Sequence, residues 1–369
     1  MRVEPLAQGR RGRGTMIQLL PLIRSMQLLA IVVGMLVLGV PTALAQGGSD
    51  ASTIYRLNPD SNFQRGCFAP CMCPMFQKTG VRGTFVLTPT GFDGLFNTYA
   101  VTEVNWIVAS GDHELRVTGS GTYKVGGEVA VQQELALDLK IGDHPVQHFD
   151  SGLVPGGEKF PAISVTISMH GQVCFDTVFF VDASPVPADQ IHPYKLVPES
   201  TFQQGCFSPC LCALGSPQPL SGTFALVDLR QGPLFTEFAV VNVDWLVARD
   251  PDASGIPVRG AGTYRVEGEF AAQQQLSLDL YVGDDGPTHF DSGLMAGGGE
   301  FPRIDISASV NGQHCFDTVI NLHALPSDQT TAVIGRDPAV FSQVEPSVRG
   351  PCSLRFEKQL AAFWSTAPR

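Results

Sequence analysis

The chain carries one cysteine-rich segment twice, and this repetition constrains its architecture more than any other feature. Gly66–Cys73 (GCFAPCMC) returns as Gly205–Cys212 (GCFSPCLC) at an offset of 139 residues. His148–Leu153 (HFDSGL) returns as His289–Leu294 at an offset of 141, so one two-residue insertion separates the copies. A duplicated unit of this length has the size of a domain. The sequence therefore predicts two tandem homologous domains.

The repeat divides the chain into five segments. We predict a signal peptide over residues 1–45, a first domain over 53–183, a Pro-rich linker over 184–193, a second domain over 194–325 and a tail over 330–369. The tail has no counterpart in the repeats, and we expect either a short helix around Leu354–Phe363 or disorder.

The N-terminal segment has the pattern of a secretory signal. The stretch Leu28–Val40 is nearly all apolar, follows Arg24 and precedes Ala43-Leu44-Ala45, which matches the charged region, apolar region and cleavage site of such signals. The stretch is shorter than the roughly 20 residues that span a bilayer. We therefore expect a cleaved signal, rather than an anchor, and a secreted or periplasmic protein.

The net charge excludes one class of partner. The sequence has 24 basic and 35 acidic residues, of which residues 1–45 contain five Arg and one Glu. The remainder has 19 basic and 34 acidic residues and a net charge of −15. Such a surface repels the phosphates of nucleic acids, so we expect no nucleic-acid partner.

No later apolar stretch is long enough to span a bilayer, so we expect no membrane insertion after signal cleavage.

Alternation of apolar and polar residues predicts strands with one buried face. From Val129 to Ile141 the apolar residues stand at every second position, and the second copy has its apolar residues at the corresponding positions. Trp106 and Trp245 lie on the apolar parity of another such stretch. A period of two is typical of a half-buried strand, so we expect both Trp side chains in the core.

Short turns separate these stretches, for example Gly126-Gly127 and Gly171-Gln172. Short connections join antiparallel neighbours, because a parallel pair needs a longer crossover. We predict an all-β protein of two antiparallel domains, each a barrel or a sandwich of about seven or eight strands.

Each repeat contains four cysteines, in a Cys-x3-Cys-x-Cys cluster and a single distant residue. An even number in an exported protein favours two disulfides per domain. Two cysteines that are two positions apart in the chain have poor geometry for a disulfide. We therefore expect one cluster cysteine to bond the distant cysteine and the other two to pair with each other. A four-cysteine zinc site and a redox-active dithiol are the alternatives. The predicted disulfide residues are Cys67, Cys71, Cys73, Cys174, Cys206, Cys210, Cys212 and Cys315.

Cys352 is the ninth cysteine and has no counterpart in the repeats. It is either free or links two chains into a dimer.

The HFDSG segments contain the residue types of a hydrolase triad. The candidate catalytic residues are His148, Asp150, His289 and Asp291. Ser151 points to the opposite strand face from His148 and Asp150, and Asp and Ser commonly cap turns. We therefore favour a structural role, with an exported hydrolase as the alternative.

Gln133 and Gln274 are polar residues on an otherwise apolar strand face. A buried amide needs hydrogen-bond partners. These partners come either from the protein itself or from a ligand held inside the domain, in which case the protein is a carrier of an apolar ligand.

One loop of the second repeat resembles the first half of a calcium-binding loop. Asp250, Asp252 and Ser254 alternate and precede Gly255. Ala261 stands where such a loop has its bidentate Glu. We favour an ordinary solvated loop and no cofactor, with Ca²⁺ as the alternative ligand.

No specific catalytic signature occurs in the sequence. Together these observations favour a non-catalytic binding or structural module of the extracellular space or periplasm, with the hydrolase and the carrier as rivals.

Overall fold

A computed structural model describes residues 52–73, 76–110, 113–231, 235–248, 255–267, 273–297 and 301–327. The predicted signal peptide, the tail, Cys352 and the candidate calcium ligands Asp250, Asp252 and Ser254 lie outside these residues.

The strands of the first half are β1 (Thr53–Leu57), β2 (Asn62–Cys67), β3 (Phe76–Phe92), β4 (Phe96–Ser110), β5 (His113–Gly126), β6 (Gln132–Ile141), β7 (Gln147–Asp150), β8 (Val154–Pro155), β9 (Ile163–Ser168) and β10 (Phe175–Pro185). Those of the second half are β11 (Ile191–Leu196), β12 (Thr201–Cys206), β13 (Gln218–Gln231), β14 (Phe235–Val247), β15 (Ile256–Glu267), β16 (Gln273–Val282), β17 (Thr288–Asp291), β18 (Met295–Ala296), β19 (Ile304–Ser309) and β20 (Phe316–Pro326).

Strands β1–β10 form one antiparallel sheet, the first domain, and β11–β20 form another, the second domain. The prediction of two tandem antiparallel β domains is confirmed. Each sheet has ten strands, more than the seven or eight expected. Strands of two residues, such as β8 and β18, are too short to show alternation.

Hydrogen bonding in each sheet follows a ring. In the first domain the neighbours are β1-β10-β2-β3-β4-β5-β6-β7-β9, and β9 pairs back to β10. Strands β7 and β9 meet at one residue pair, Asp150 and Ser168. In the second domain, pairing of β13 with β14 closes the ring. The corresponding seam lies between β17 and β19, which meet at the residue pair Asp291 and Ser309. Each domain is thus a ring of strands with a narrow seam, and not a continuous barrel.

Trp106 and Trp245 lie in the cores of the two domains, as the alternation predicts, and each is 1% exposed. The rings of Phe85 and Phe179 lie 6.2 and 5.5 Å from that of Trp106. Phe224 packs edge-on against Trp245 in the second domain. Aromatic side chains therefore fill the middle of each ring of strands.

The predicted alternation has the correct phase along β6, but it begins three residues before the strand does. Leu135, Leu137 and Leu139 are buried, but the strand begins at Gln132 and Val129 is 99% exposed. The chain bends over residues 128–130 before β6 starts, so Val129 lies outside the sheet.

The predicted linker, 184–193, overlaps both sheets. Strand β10 continues to Pro185, β11 begins at Ile191, and a 3-10 turn over Ala188–Gln190 lies between them. An apolar cluster joins the outer faces of the two domains next to this connection. Its buried members are Ile54, Val86, Val186, Ala225, Val227, Ala239 and Val241.

In the part of the chain that the structure describes, no helix has the length and apolar character needed to cross a membrane.

Candidate functional site

Two disulfides staple each domain at one end. Cys71 bonds Cys174, and Cys67 bonds Cys73, with Cα–Cα distances of 4.8 and 5.7 Å. The second domain repeats the pattern with Cys210–Cys315 and Cys206–Cys212. The predicted scheme of one long and one local disulfide per domain is present in both.

A buried carboxylate supports the loop that holds the distant cysteine. The side chain of Asp176 accepts hydrogen bonds from the backbone N–H groups of His170, Gln172 and Thr177, the last two at 2.8 and 2.7 Å. Asp317 makes the corresponding bonds in the second domain. Sequence reasoning missed this role, although both copies carry the same Cys-Phe-Asp-Thr-Val segment.

The HFDSG side chains of the first domain are engaged in local bonds. Gly152 N–H donates to Asp150 Oδ1 at 2.7 Å, and Leu135 N–H donates to Ser151 Oγ at 3.0 Å. His148 Nδ1 lies 2.8 Å from Asp138 Oδ1 across the strand pair. The histidine, the aspartate and the serine of this segment therefore contact different partners and do not form a relay with one another.

The second HFDSG segment adds a contact between the domains. His289 Nδ1 lies 2.8 Å from Asp279 Oδ1, and Arg116 Nε of the first domain lies 2.9 Å from Asp279 Oδ2. Burial opposes the charge of Asp279, but His289 and Arg116 outweigh it and hold the pKa of this carboxyl below its ordinary value. Burial lowers the pKa of Arg116, and the charges of Asp279 and Asp291 oppose that shift.

Further polar bonds cross the same interface. Arg82 Nε donates to Glu237 Oε2 at 2.6 Å, while its Nη2 contacts Glu114 of its own domain. Burial opposes the charge of Arg82, and its bonds to Glu237 and Glu114 outweigh this and raise the pKa of the guanidinium. Asn105 Nδ2 donates to Gly262 O at 2.6 Å. The two domains are therefore joined by paired charges as well as by apolar packing.

Gln133 and Gln274 lie in the core and bond to neighbouring strands. Tyr123 Oη donates to Gln133 Oε1 at 3.0 Å, and Gln133 Nε2 donates to Ser164 O at 2.8 Å. Tyr264, Gln274 and Asp305 O make the corresponding bonds in the second domain. Burial raises the pKa of Tyr123 and Tyr264 above the ordinary value, so both remain neutral hydrogen-bond donors.

A cavity of about 220 Å³ lies in the first domain, next to the loop held by Asp176. We call it the Arg65 cavity. Its polar lining includes three basic side chains from separate segments, and its other walls are largely apolar. The lining residues are Phe63, Arg65, Gln77, Val108, Ser110, Leu115, Ile141, His144, Gln147, Met169, His170, Phe175, Asp176 and Thr177.

Sequence reasoning missed Arg65, His144 and His170, because each stands alone in its own segment. The signal that could have found them is the difference between the copies. The corresponding residues of the second repeat are Gln204, Asp285 and Asn311.

Recesses also occur in the second domain and between the two domains. A groove of about 760 Å³ in the second domain is lined by side chains that include Phe238, Phe301 and Pro302. A cleft of about 210 Å³ between the domains contains Glu114, Arg116 and Glu237, among others. The cleft belongs to the charged interface described above.

Within the described ranges, no group of three or more His, Cys, Asp or Glu side chains is arranged to hold a metal ion. The candidate calcium ligands lie outside those ranges, so the Ca²⁺ hypothesis stays a prediction.

In a comparison with known proteins, no family model, no curated protein and no solved structure matches the chain.

Proposed function

We propose that the protein is an exported, disulfide-stapled pair of β domains that acts as a non-catalytic binding or structural module. The observation that carries the proposal is the use of the HFDSG side chains. Asp150 accepts a backbone N–H of its own turn, Ser151 accepts the N–H of Leu135 on β6, and His148 pairs with Asp138. The most promising catalytic residue types in the sequence are thus engaged in supporting the fold.

Export is supported by the four disulfides and by the signal pattern of residues 1–45. Disulfides persist in oxidising compartments such as the periplasm and the extracellular space. The test is to express the whole chain and fractionate the cells, with a variant that lacks residues 1–45 as control. We expect the whole chain outside the cytoplasm, with an N-terminus at Gln46 and oxidised cysteines. Retention of the whole chain in the cytoplasm with free thiols contradicts export.

The two rival functions have less support. A hydrolase needs a nucleophile and a base within hydrogen-bond reach of each other, and the residues of the HFDSG segments bond to other groups. A carrier of an apolar ligand within each domain needs an apolar internal cavity. Trp106, Phe85 and Phe179 occupy the middle of the first domain, and its Arg65 cavity lies next to the loop held by Asp176 and has charged side chains in its lining.

The non-catalytic part of the proposal is tested by assaying the double variant His148→Ala/His289→Ala beside the wild type on ester, glycoside and peptide substrates. His113→Ala is the matched control, since His113 is exposed and lies outside both segments. We expect no turnover above background from any of the three proteins. Turnover by the wild type and the control that disappears in a folded double variant contradicts the proposal.

A further inference from the structure

We propose that the Arg65 cavity binds a small organic anion with an apolar body. The proposal specifies the binding role within the proposed function, and it rests on that function being non-catalytic. It is carried by the position of three basic side chains around one cavity in a chain whose overall charge is strongly negative.

The two domains provide an internal comparison that separates scaffold from site. Phe63, Phe175, Asp176 and Thr177 line the cavity, and the second repeat has the same residue type at each corresponding position, Phe202, Phe316, Asp317 and Thr318. These shared residues are common to both domains and so do not distinguish the first domain from the second. Arg65, His144 and His170 are replaced in the second domain, which folds into a corresponding sheet without them. The fold therefore does not require the three basic groups.

The cation and the hydrogen-bond donors around the cavity favour an anion: Arg65 is permanently charged, and His144 and His170 carry imidazole N–H groups. The single acidic side chain among the lining residues is Asp176, which is fully buried and whose oxygens accept three backbone N–H groups. His170 Nδ1 lies 3.4 Å from Asp176 Oδ1, which directs the opposite ring nitrogen, Nε2, away from the carboxylate. The guanidinium of Arg65 lies over the Phe175 ring, 5.9 Å from its centroid. A guanidinium forms charge-assisted hydrogen bonds with carboxylates, and an imidazole N–H donates a further hydrogen bond to the same group.

The other walls and the volume define the rest of the ligand. Val108, Leu115, Ile141 and Met169 provide apolar surface beside the polar groups. Pockets for drug-sized ligands measure roughly 300–1,000 Å³, and this cavity, at about 220 Å³, is smaller. It suits one acidic group attached to a single ring or short branched chain, and benzoate is a probe of that size and charge.

The experiment measures the affinity of the whole secreted chain for benzoate, for its neutral isostere benzamide and for inorganic phosphate by calorimetric titration. Amide chemical shifts of Thr177 and Gln77 locate the site. The test variants Arg65→Gln and His170→Asn install the corresponding residues of the second domain, Gln204 and Asn311, with which that domain forms the same type of sheet. Arg259→Gln removes one charge from an exposed arginine of the second domain and is the matched control.

We expect saturable binding of benzoate, at least about tenfold tighter than benzamide or phosphate. Loss of a charged hydrogen bond corresponds to about 10- to 100-fold in affinity, so each test variant should weaken benzoate binding by that factor, and Arg259→Gln should not change it. Thermal unfolding checks that each variant is folded.

Two results overturn the inference alone and leave the non-catalytic proposal standing. One is benzoate binding no tighter than benzamide, and the other is no saturation below about 10 mM. Chemical conversion of the bound ligand, detected by proton NMR, contradicts the non-catalytic function and the inference together.

Discussion

Asp176 holds the loop between β9 and β10 in its observed conformation. Its carboxylate accepts backbone N–H groups from both sides of that loop, and two residues within it, Gln172 and Cys174, adopt positive φ angles of 60° and 56°. Positive φ is unfavourable for residues other than glycine, so these bonds offset the cost of the turn. The same carboxylate forms one wall of the Arg65 cavity.

Replacement of Asp176 tests whether its carboxylate stabilises the loop between β9 and β10. Asp176→Asn keeps the shape of the side chain but replaces a charged acceptor. Hydrogen bonds to charged groups contribute about 1.5–3 kcal/mol each, so we expect a loss of at least about 2 kcal/mol in the free energy of unfolding, measured by denaturant titration. Asp143→Asn, at an exposed position, should change it by less than about 0.5 kcal/mol. Equal effects of the two substitutions contradict the assignment.

At the scale of the strands, the two disulfides of each domain constrain loops of very different length. Cys71–Cys174 closes a loop with a sequence separation of 103 and links the region after β2 to the start of β10. Cys67–Cys73 has a separation of 6 and constrains only the cluster itself. Strands β2 and β10 are hydrogen-bonded neighbours, so the long disulfide reinforces a contact between distant parts of the chain.

The two disulfides should therefore contribute unequally to stability. In the chain-entropy model the long loop contributes about 4.7 kcal/mol and the short loop about 2.2 kcal/mol. We expect Cys71→Ala/Cys174→Ala to lower the unfolding free energy of the first domain about twice as much as Cys67→Ala/Cys73→Ala. The measurement is chemical denaturation under non-reducing conditions. A larger loss on removal of the short disulfide contradicts the expectation.

At the scale of the whole molecule, the two domains contact each other through different parts of their outer faces. Asn105 and Ile107 of the first domain are buried, whereas their counterparts Asp244 and Leu246 of the second domain are exposed. Conversely, Val241 is buried and its counterpart Thr102 is exposed. The interface is therefore heterologous, a geometry that can continue into open stacks. The exposed polar residues Thr102 and Asp244 on the unused faces, like those on the terminal repeats of solenoids, oppose such continuation.

The Arg116–Asp279 pair should make the interface sensitive to acid. The folded-state pKa of Asp279 is lowered, so its contribution is fully present above the unfolded pKa, about 3.9, and is lost as pH falls through the folded value. We expect Asp279→Asn to lower the unfolding free energy by about 1–3 kcal/mol at pH 7, and the difference from the wild type to narrow below about pH 4.

Asp138→Asn is the matched control for this experiment. Asp138 occupies the corresponding position in the first domain and pairs with His148, but it is exposed. We expect a change within about 0.5 kcal/mol at pH 7. A pH-independent difference between the wild type and Asp279→Asn contradicts the role of the carboxylate.

The sequence alone determined the class of fold, the buried positions of Trp106 and Trp245, and the scheme of one long and one local disulfide per domain. Local patterns encode all three. Alternation with a period of two reports which side of a strand is buried, and cysteine number reports the count of disulfides.

Three features depend on the three-dimensional arrangement of the strands: which cluster cysteine bonds Cys174, how the two domains contact each other, and the position of Arg65, His144 and His170 around one cavity. These features join residues far apart in the chain, and their geometry depends on strand register and ring closure. No local period records such contacts, so each of the three basic residues is uninformative until the strands bring them together.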